Sequence, residues 1–337
     1  MSNSLATLFF PFHHGLLDAP RAGERLVVFG AGAGLRLPPD FRSEIVAVQG
    51  LRPDYLSLER AGYKVTPTLE GENFDAAFVL LGRHRRENEL QLAQSLACLK
   101  PGGLLAAAGA KKDGAASLAK RVAKLLPLEN QLSKHHGVVF WARRPNTPDA
   151  VPLQALLAHP IRTGEGYETA IGGFSEGGVD PGSRLLADSL PDDISGSVAD
   201  FGAGWGYLSL RLAKRFSLQM LDLYEAHNRS LDAARGNLAA HASETPCHFF
   251  WQDLLSEPVE QRYDVIVMNP PFHRGRAAEP DLGQAMILAA SKAVKPRGRL
   301  FLVANRALPY ETVVKANFTR QGEICRDSSF KVLWAVK

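Results

Sequence analysis

The chain has 337 residues, which exceeds the usual size of one domain and predicts two. Its composition, 45% hydrophobic and 22% charged residues, is typical of globular proteins and excludes a disordered chain. The formal net charge of +4 is concentrated in residues 1–150, which hold 19 Lys and Arg against 14 Asp and Glu, and this bias is compatible with a phosphate-bearing partner.

The chain shows no sign of membrane targeting or of a metal centre. The amino terminus has no basic leader, Pro11 interrupts its apolar stretch, and no run approaches the ~18 apolar residues of a membrane helix. The cysteines, at positions 98, 247 and 325, are far apart without a CxxC pair, which argues against disulfides and zinc. We therefore expect a cytoplasmic protein with no membrane partner and no metal.

Apolar runs of five to seven residues alternate with helical patterns in both halves. In the first half the runs are "RLVVFG" (25–30), "DAAFVLLG" (75–82) and "GGLLAAAG" (102–109). In the second they are "SVADFG" (197–202), "LQMLDLYE" (218–225), "YDVIVMN" (263–269) and "GRLFLVAN" (298–305). Continuous apolar strands separated by helices predict mostly parallel sheets covered on both faces, hence an α/β fold with two doubly wound domains.

The two halves of the sequence also form an internal repeat. Four segments match in the same order: "VFGAGAG" (28–34) with "DFGAGWG" (200–206), "FDAAFVLL" (74–81) with "YDVIVMNP" (263–270), "LKPGGLLAAAG" (99–109) with "VKPRGRLFLVAN" (294–305), and "VVFWARR" (138–144) with "KVLWAVK" (331–337). This predicts a duplication, with domains at 1–150 and 160–337 and a proline-rich joint at 143–152.

In the second half, polar groups follow three neighbouring strands. Gly202, Gly204 and Gly206 allow a tight turn and close backbone approach to a ligand ahead of a helix that begins near Tyr207. Glu225 ends the next strand, where an acid can accept hydrogen bonds from ribose hydroxyls, although it could instead cap the following helix. Asp253 ends the third strand at the same edge, where ligands of this architecture bind.

The stretch "MNPPFH" (268–273) follows the apolar run "YDVIV". Two prolines offer no N–H and fix their own φ, so the strand must end there. This leaves Asn269 at the mouth of the sheet with Phe272 beside it.

Together these motifs make the second half resemble a Rossmann-like S-adenosylmethionine-dependent methyltransferase, with "NPPF" as the fourth motif of the amino-methyltransferases. The segments "FSEGGVDPGSRLL" (174–186), "DFGAGWGYLS" (200–209), "NPPFH" (269–273) and "FKVLWAV" (330–336), behind a degenerate copy of the domain, resemble the ribosomal RNA guanine-N2 methyltransferases, especially the small-subunit type.

The resemblance implies roles for individual residues. The cofactor S-adenosylmethionine would be held by Asp200, Gly202, Gly204, Gly206, Glu225, Asp253 and Asn269. The catalytic pocket would be formed by Asn269, Pro270 and Phe272, with Phe272 stacking on the base. Pro271, Phe272, His273, Phe174 and Asp180 would contact the substrate, although Phe174 and Asp180 by themselves read equally well as loop and helix cap. His273 is interpreted as a pocket wall rather than a general base.

The first half departs from these requirements, because Val28 replaces Asp200 and "LLGRHRRENE" replaces "MNPPFHRGR". Residues 1–150 are therefore predicted to form a degenerate domain that neither binds cofactor nor catalyses. Its basic clusters, at residues 83–86, 111–112 and 120–124, are candidates for phosphate contacts that dock RNA, or are simply solvated surface.

We therefore predict methylation of guanine N2 in ribosomal RNA, with the small subunit favoured as the source of that RNA. Alternatives left open are large-subunit guanine N2, adenine N6, a protein glutamine amide and, outside enzymes, an RNA-binding platform. A monomer is favoured.

Overall fold

Each half of the chain folds around its own seven-stranded sheet. The computed structural model describes residues 3–147, 153–271, 273–274, 277–278 and 280–337. The chain divides into two units, residues 1–159 and residues 160–337. No helix among the described residues combines the length and apolar character needed to cross a membrane.

The first unit contains five helices and seven strands in its described residues. The strands are β1 (Arg25–Phe29), β2 (Glu44–Val48), β3 (Lys64–Thr66), β4 (Phe74–Leu81), β5 (Leu99–Ala110), β6 (Asn130–Lys134) and β7 (Gly137–Arg143). The helices are α1 (Asn3–His13), α2 (Arg52–Arg60), α3 (Arg85–Cys98), α4 (Ala115–Val122) and α5 (Leu153–Leu156), and a 3-10 turn spans Lys111–Asp113.

The second unit repeats this arrangement. Its strands are β8 (Ser197–Phe201), β9 (Met220–Glu225), β10 (Cys247–Trp251), β11 (Tyr263–Met268), β12 (His273–Arg274), β13 (Ala277–Ala278), β14 (Val294–Asn305), β15 (Arg320–Arg326) and β16 (Phe330–Val336). Its helices are α6 (Pro181–Ser189), α7 (Tyr207–Arg215), α8 (Asn228–His241), α9 (Pro280–Ala293) and α10 (Tyr310–Asn317).

The two large sheets have the same strand order, β3-β2-β1-β4-β5-β7-β6 and β10-β9-β8-β11-β14-β16-β15. In each sheet six strands run in the same direction, and one strand, β7 or β16, is antiparallel to both of its neighbours. The predicted α/β fold with two mostly parallel, doubly wound domains is confirmed.

Alternating side chains of each central strand feed two separate cores. In β11, Val265 and Val267 belong to one apolar cluster, and Ile266 and Met268 belong to the cluster on the opposite face. Strands buried on both faces must be apolar throughout, which explains the unbroken apolar runs in the sequence.

The division between the units falls later than the proline-rich joint suggested. Of that joint, residues 148–152 lie outside the described residues. Helix α5 packs on the core of the first unit through Leu156, and Arg121 of α4 donates to the carbonyl of Ala155 at 2.9 Å. Arg86 also donates to the carbonyl of His159. These contacts attach residues 153–159 to the first unit.

Candidate active site

The glycine loop of the second unit connects β8 to α7, which begins at Tyr207 as predicted. Gly202, Gly204 and Gly206 have φ values of +78°, +56° and +90°, where side chains are strained. A Cβ on Gly206 would approach Ala234 to 3.0 Å, so this glycine serves helix packing. A Cβ on Gly204 would meet nothing within 4 Å, so its backbone faces open space. The loop therefore has one glycine for packing and one that leaves its backbone accessible.

Glu225 at the end of β9 organises this loop. One carboxylate oxygen accepts the N–H of Gly204 at 2.8 Å, and the other accepts the N–H of His227, the residue before α8, at 2.7 Å. Both the ligand interpretation and the capping alternative are compatible with this geometry. Each carboxylate oxygen retains a second lone pair for a ligand hydroxyl.

Asp200 lies on β8 and is fully buried. Its Oδ2 accepts the hydroxyl of Ser209 at 2.7 Å, whereas Oδ1 has no hydrogen-bond partner in the described part of the chain. Burial raises the pKa of Asp200 to about 7, and the negative charge of Glu225 acts in the same direction. A buried acceptor without a donor is costly, and a ligand that donates a hydrogen bond would satisfy it.

Asp253 follows β10 by two residues and is buried. Its carboxylate accepts the N–H of Leu255 at 3.1 Å and the hydroxyl of Ser256 at 2.6 Å. The turn therefore fixes this carboxylate.

Asn269 follows the last residue of β11 and is partly buried. Its Nδ2 donates to Oδ2 of Asp180 at 2.9 Å and to the hydroxyl of Ser183 at 2.8 Å. A carboxylate only accepts, so the nitrogen of the amide must face Asp180. Among the described residues none donates to Oδ1 of Asn269. The amide therefore has a fixed orientation with its oxygen left as an acceptor.

Asp180 holds this amide from the start of α6. It is the N-cap residue, and its side chain accepts the N–H of Ser183 at 2.7 Å. Pro181 occupies the first helical position, a favoured place for proline. Gly182 lets the ring of Phe330 come within 3.0 Å of where a Cβ would lie, so the helix packs closely against β16.

The structure describes only some of the remaining residues of the predicted pocket. Pro270 is buried and Pro271 is exposed. Phe272 lies outside the described residues, and His273 is described only as part of β12, which pairs with β13.

A cleft brings several predicted groups together. It is lined by Gly202, Gly204, Asn269, Asp180 and Phe174, with Ser175, Ser183, Ala203, Trp205, Tyr207 and Leu208. Phe174 is 52% exposed, which is unusual for an aromatic ring and leaves its face accessible to a ligand. Asp200, Glu225, Asp253 and Gly206 are not among its lining residues.

Strand register identifies the corresponding positions in the first unit. Val28 and Asp200 occupy equivalent places on β1 and β8, and both are followed by the same glycine spacing. Extending the register across each sheet pairs three further positions: Gln49 with Glu225, Leu80 with Asn269, and Leu69 with Asp253. The first unit therefore lacks the carboxylates and the amide at all four positions.

Local contacts also close the glycine loop of the first unit. The Gln49 amide donates to the carbonyl of Ala31 and accepts the N–H of Leu51 at 2.8 Å. A Cβ on Gly32 would lie 2.9 Å from the carboxylate of Asp54, so that side chain occupies the space that is open beside Gly204.

Comparisons with known proteins decide the family. The Methyltransferase small domain family model matches residues 167–334. The chain is 30% identical over 254 residues to ribosomal RNA small subunit methyltransferase C of Escherichia coli, covering 75% of this chain and 73% of that protein. The homologue from Salmonella newport is also 30% identical, covering 74% and 72%. The chain therefore belongs to the family of ribosomal RNA small subunit methyltransferase C.

A solved structure supports the same conclusion. The chain matches the T. thermophilus 16S rRNA N2 G1207 methyltransferase (RsmC), in complex with AdoMet and guanosine, with a TM-score of 0.78 and 27% identity. The match covers 95% of this chain and 89% of that one. The resemblance to the small-subunit guanine-N2 methyltransferases and the prediction of a methyltransferase are therefore confirmed.

Sequence reasoning missed two serines that hold the key side chains. Ser183 accepts from Asn269, and Ser209 donates to Asp200. The "DPGS" segment signals a helix start, and therefore the cap, but gives no sign of a contact to a residue 86 positions away. In the described residues no three His, Cys, Asp or Glu side chains form a metal-binding group.

Proposed function

We infer that this chain is an S-adenosylmethionine-dependent methyltransferase that modifies the exocyclic N2 amine of a guanine in small-subunit ribosomal RNA. The observation that carries this inference is the fixed amide of Asn269, whose nitrogen is held by Asp180 and Ser183 beside the glycine loop. Family membership and the likeness to a structure holding AdoMet and guanosine support it.

The cofactor would lie at the carboxyl ends of β8, β9 and β10, partly in the cleft. S-adenosylmethionine supplies a methyl group bonded to a positively charged sulfur. We propose that Gly202, Gly204 and Gly206 receive its methionine end, where the unpaired Oδ1 of Asp200 can accept a hydrogen bond from an ammonium group. Glu225 would bind the ribose hydroxyls and Asp253 the amino group of the adenine.

Asn269 and Pro270 would activate the target amine. The exocyclic amine of guanine is a poor nucleophile because its lone pair is delocalised into the ring. If Oδ1 of Asn269 and the carbonyl of Pro270 each accept one of its hydrogens, the nitrogen shifts toward tetrahedral geometry and its lone pair points at the methyl carbon. Positioning of the two reactants then supplies most of the rate enhancement.

The base must reach the cleft as an unpaired or flipped-out nucleotide. Phe272 would hold it by stacking, and Pro271, His273 and the exposed ring of Phe174 would form the pocket wall. The proton of the amine can be lost to solvent after transfer, so this mechanism needs no general base and no metal.

The first unit is proposed to serve RNA docking or structural support rather than catalysis. The replacement of Asp200, Glu225, Asp253 and Asn269 by Val28, Gln49, Leu69 and Leu80 removes the three carboxylates and the amide that the second unit would use to bind cofactor and amine. Its glycine loop is filled by the chain's own side chains, Gln49 and Asp54.

Methylation of small ribosomal subunits and of naked small-subunit RNA, followed by mass spectrometry of the nucleosides, tests the proposal. We expect N2-methylguanosine with the wild-type chain and none with Asn269→Ala. Large-subunit RNA and total protein serve as parallel substrates. N6-methyladenosine, methylated glutamine or labelling of large-subunit RNA alone would overturn the proposed target, and absence of cofactor binding would indicate an RNA-binding platform.

A further inference from the structure

A two-residue hairpin in the first unit is built from residues that do not favour its conformation. Lys134 of β6 pairs with Gly137 of β7, so His135 and His136 form the whole connection. Their φ values are +49° and +59°. Turns with two positive φ values favour Asn-Gly or Gly-Gly, and side chains in this region are strained. Strain of this kind tends to be kept at functional sites.

Three chain segments are tied together at this hairpin. The N–H of Lys111, which directly follows β5, donates to the carbonyl of His136 at 3.0 Å. The hydroxyl of Thr7, which is fully buried in α1, contacts the carbonyl of Lys134 at 3.1 Å and that of Asn3 at 2.6 Å. The side chains on these segments therefore project from a preformed framework, which lowers the ordering cost of binding a ligand.

These segments enclose an open cavity of about 600 Å³ with a basic lining. Lys111, Lys112, Lys134, His135 and His136 line it together with Asn3, Ala110 and Ser133, and no acid is among these described lining residues. The three lysines and both histidines are exposed. The nearest acid in sequence is Asp113, in the same 3-10 turn as the two lysines. The cavity therefore offers several cationic and N–H donors to an anion.

Arginines of the other two basic clusters hold the structure of this unit. Arg85 and Arg121 both pair with Glu89 at 2.9 Å. Arg86 and Arg121 also hold the carbonyls of residues 159 and 155. The 111–112 cluster instead lies together with Lys134, His135 and His136 in the lining of this cavity.

We propose that this cavity, formed by Lys111, Lys112, Lys134 and the His135-His136 turn, is a binding site for the phosphodiester backbone of the RNA substrate. The inference extends the RNA substrate proposed above by naming where the catalytically inactive unit contacts it. Lysines contact phosphates without reading sequence, so the site contributes affinity and register rather than base recognition. Its effect must therefore depend on salt and be the same for different sequences.

The first experiment compares two triple variants of the full chain with equal charge change. Lys111→Gln, Lys112→Gln and Lys134→Gln remove the cavity cations, whereas Arg36→Gln, Arg42→Gln and Arg60→Gln remove exposed arginines of the same unit that lie outside its basic clusters and outside the cavity lining. Binding of naked small-subunit RNA and of oligouridylate is measured over a salt series. We expect the cavity variant to lose roughly 10-fold or more in affinity for both RNAs at low salt and to flatten the salt slope by about 2.

If the control variant loses as much RNA affinity as the cavity variant, the effect comes from total charge and the proposed site is wrong. Unchanged RNA affinity in the cavity variant would also contradict the site. Tight binding of inorganic phosphate by calorimetry with unchanged RNA affinity would assign the cavity to a free anion instead. Cofactor affinity and the N2-methylguanosine assay of the wild-type chain are measured separately. If the wild-type chain does not methylate RNA, the proposed activity is wrong. The RNA affinities of the two triple variants still test the proposed binding site independently.

A second variant separates binding from folding. His135→Asn with His136→Gly supplies the residues that this turn favours, so we expect a higher unfolding temperature. Removal of the two imidazoles should nevertheless weaken RNA binding by about 2- to 5-fold. A more stable variant with unchanged RNA affinity would show that the histidines do not contact the ligand and would contradict their place in the site.

Discussion

One carboxylate oxygen of Asp180 accepts both the side-chain nitrogen of Asn269 at 2.9 Å and the backbone N–H of Ser183 at 2.7 Å. A single atom therefore joins the start of α6 to the tip of β11. Because the carboxylate can only accept, it fixes which end of the amide faces the cleft. Asp180 is thus a positioning residue for the oxygen that the proposed mechanism needs.

Replacement of Asp180 should affect turnover more than cofactor binding. We expect Asp180→Ala to lower kcat by roughly 10- to 100-fold, because the Asn269 amide can then rotate out of position. It should also cost about 1 kcal/mol of stability through the lost helix cap. Asp180→Asn keeps an acceptor oxygen and should retain most of the activity. Steady-state kinetics and thermal unfolding of both variants, with calorimetry for the cofactor, provide the measurements.

Asn269→Ala should abolish methyl transfer, with a loss of at least about 1,000-fold, while cofactor affinity stays within a few-fold of the wild type. If Asp180 acts through Asn269, adding Asp180→Ala to this variant should lower the residual rate little further, since residues that act as a unit are not additive. A fully additive double variant would show that Asp180 acts independently of the amide. Retained turnover in Asn269→Ala itself would mean that the amine is activated in another way.

The sequence predicted the architecture because the signals for it are local. Unbroken apolar runs, glycine loops and the Asn-Pro-Pro strand end depend on a few neighbouring residues, and each lies where expected. The roles of Arg85, Arg86 and Arg121 could not be predicted from the sequence. A run of charged residues looks the same in sequence whether it faces solvent or, as Arg85 and Arg121 do, pairs with Glu89. The same limit applies to Ser183 and Ser209, whose partners are brought close only by the packing of α6 and α7.

The residues on which the proposed inactivity of the first unit rests could be recognised only in part from sequence. Val28 in place of Asp200 is visible in the aligned glycine loops. The pairing of Leu80 with Asn269 follows from the aligned segments 74–81 and 263–270. The pairings of Gln49 with Glu225 and of Leu69 with Asp253 need the register of the strands, because no matching segment covers them. A shift of one residue would assign a different partner to each position.

Asp200 should make the stability of the ligand-free protein depend on pH. Burial raises the pKa of its carboxyl to about 7 from an ordinary value of 3.8, so between these two pH values the folded state binds a proton that the unfolded state has lost. The contribution of this group to the free energy of unfolding is therefore present at low pH and is lost as pH rises through about 7. We expect the difference in unfolding free energy between wild type and Asp200→Asn to change by roughly 2 to 4 kcal/mol between pH 4 and pH 8.

Urea unfolding at a series of pH values measures this difference. Ser209→Ala is a matched control: it removes the hydroxyl that stabilises the ionised carboxylate and should shift the transition to higher pH. A constant difference between wild type and Asp200→Asn over this range would show that the Asp200 carboxyl is ionised throughout and that another donor satisfies Oδ1.

Cofactor binding should distinguish the two units, because Glu225 and Gln49 occupy equivalent positions with different chemistry. We expect calorimetry with S-adenosylmethionine to give one site per chain. Glu225→Gln should weaken binding by about 10- to 100-fold, since it replaces a charged acceptor of ribose hydroxyls and also loosens the bond to the N–H of Gly204. Gln49→Ala is the control in the first unit and should leave both affinity and stoichiometry unchanged. Binding of a second equivalent that is lost in Gln49→Ala would contradict the assignment of the first unit as inactive toward cofactor.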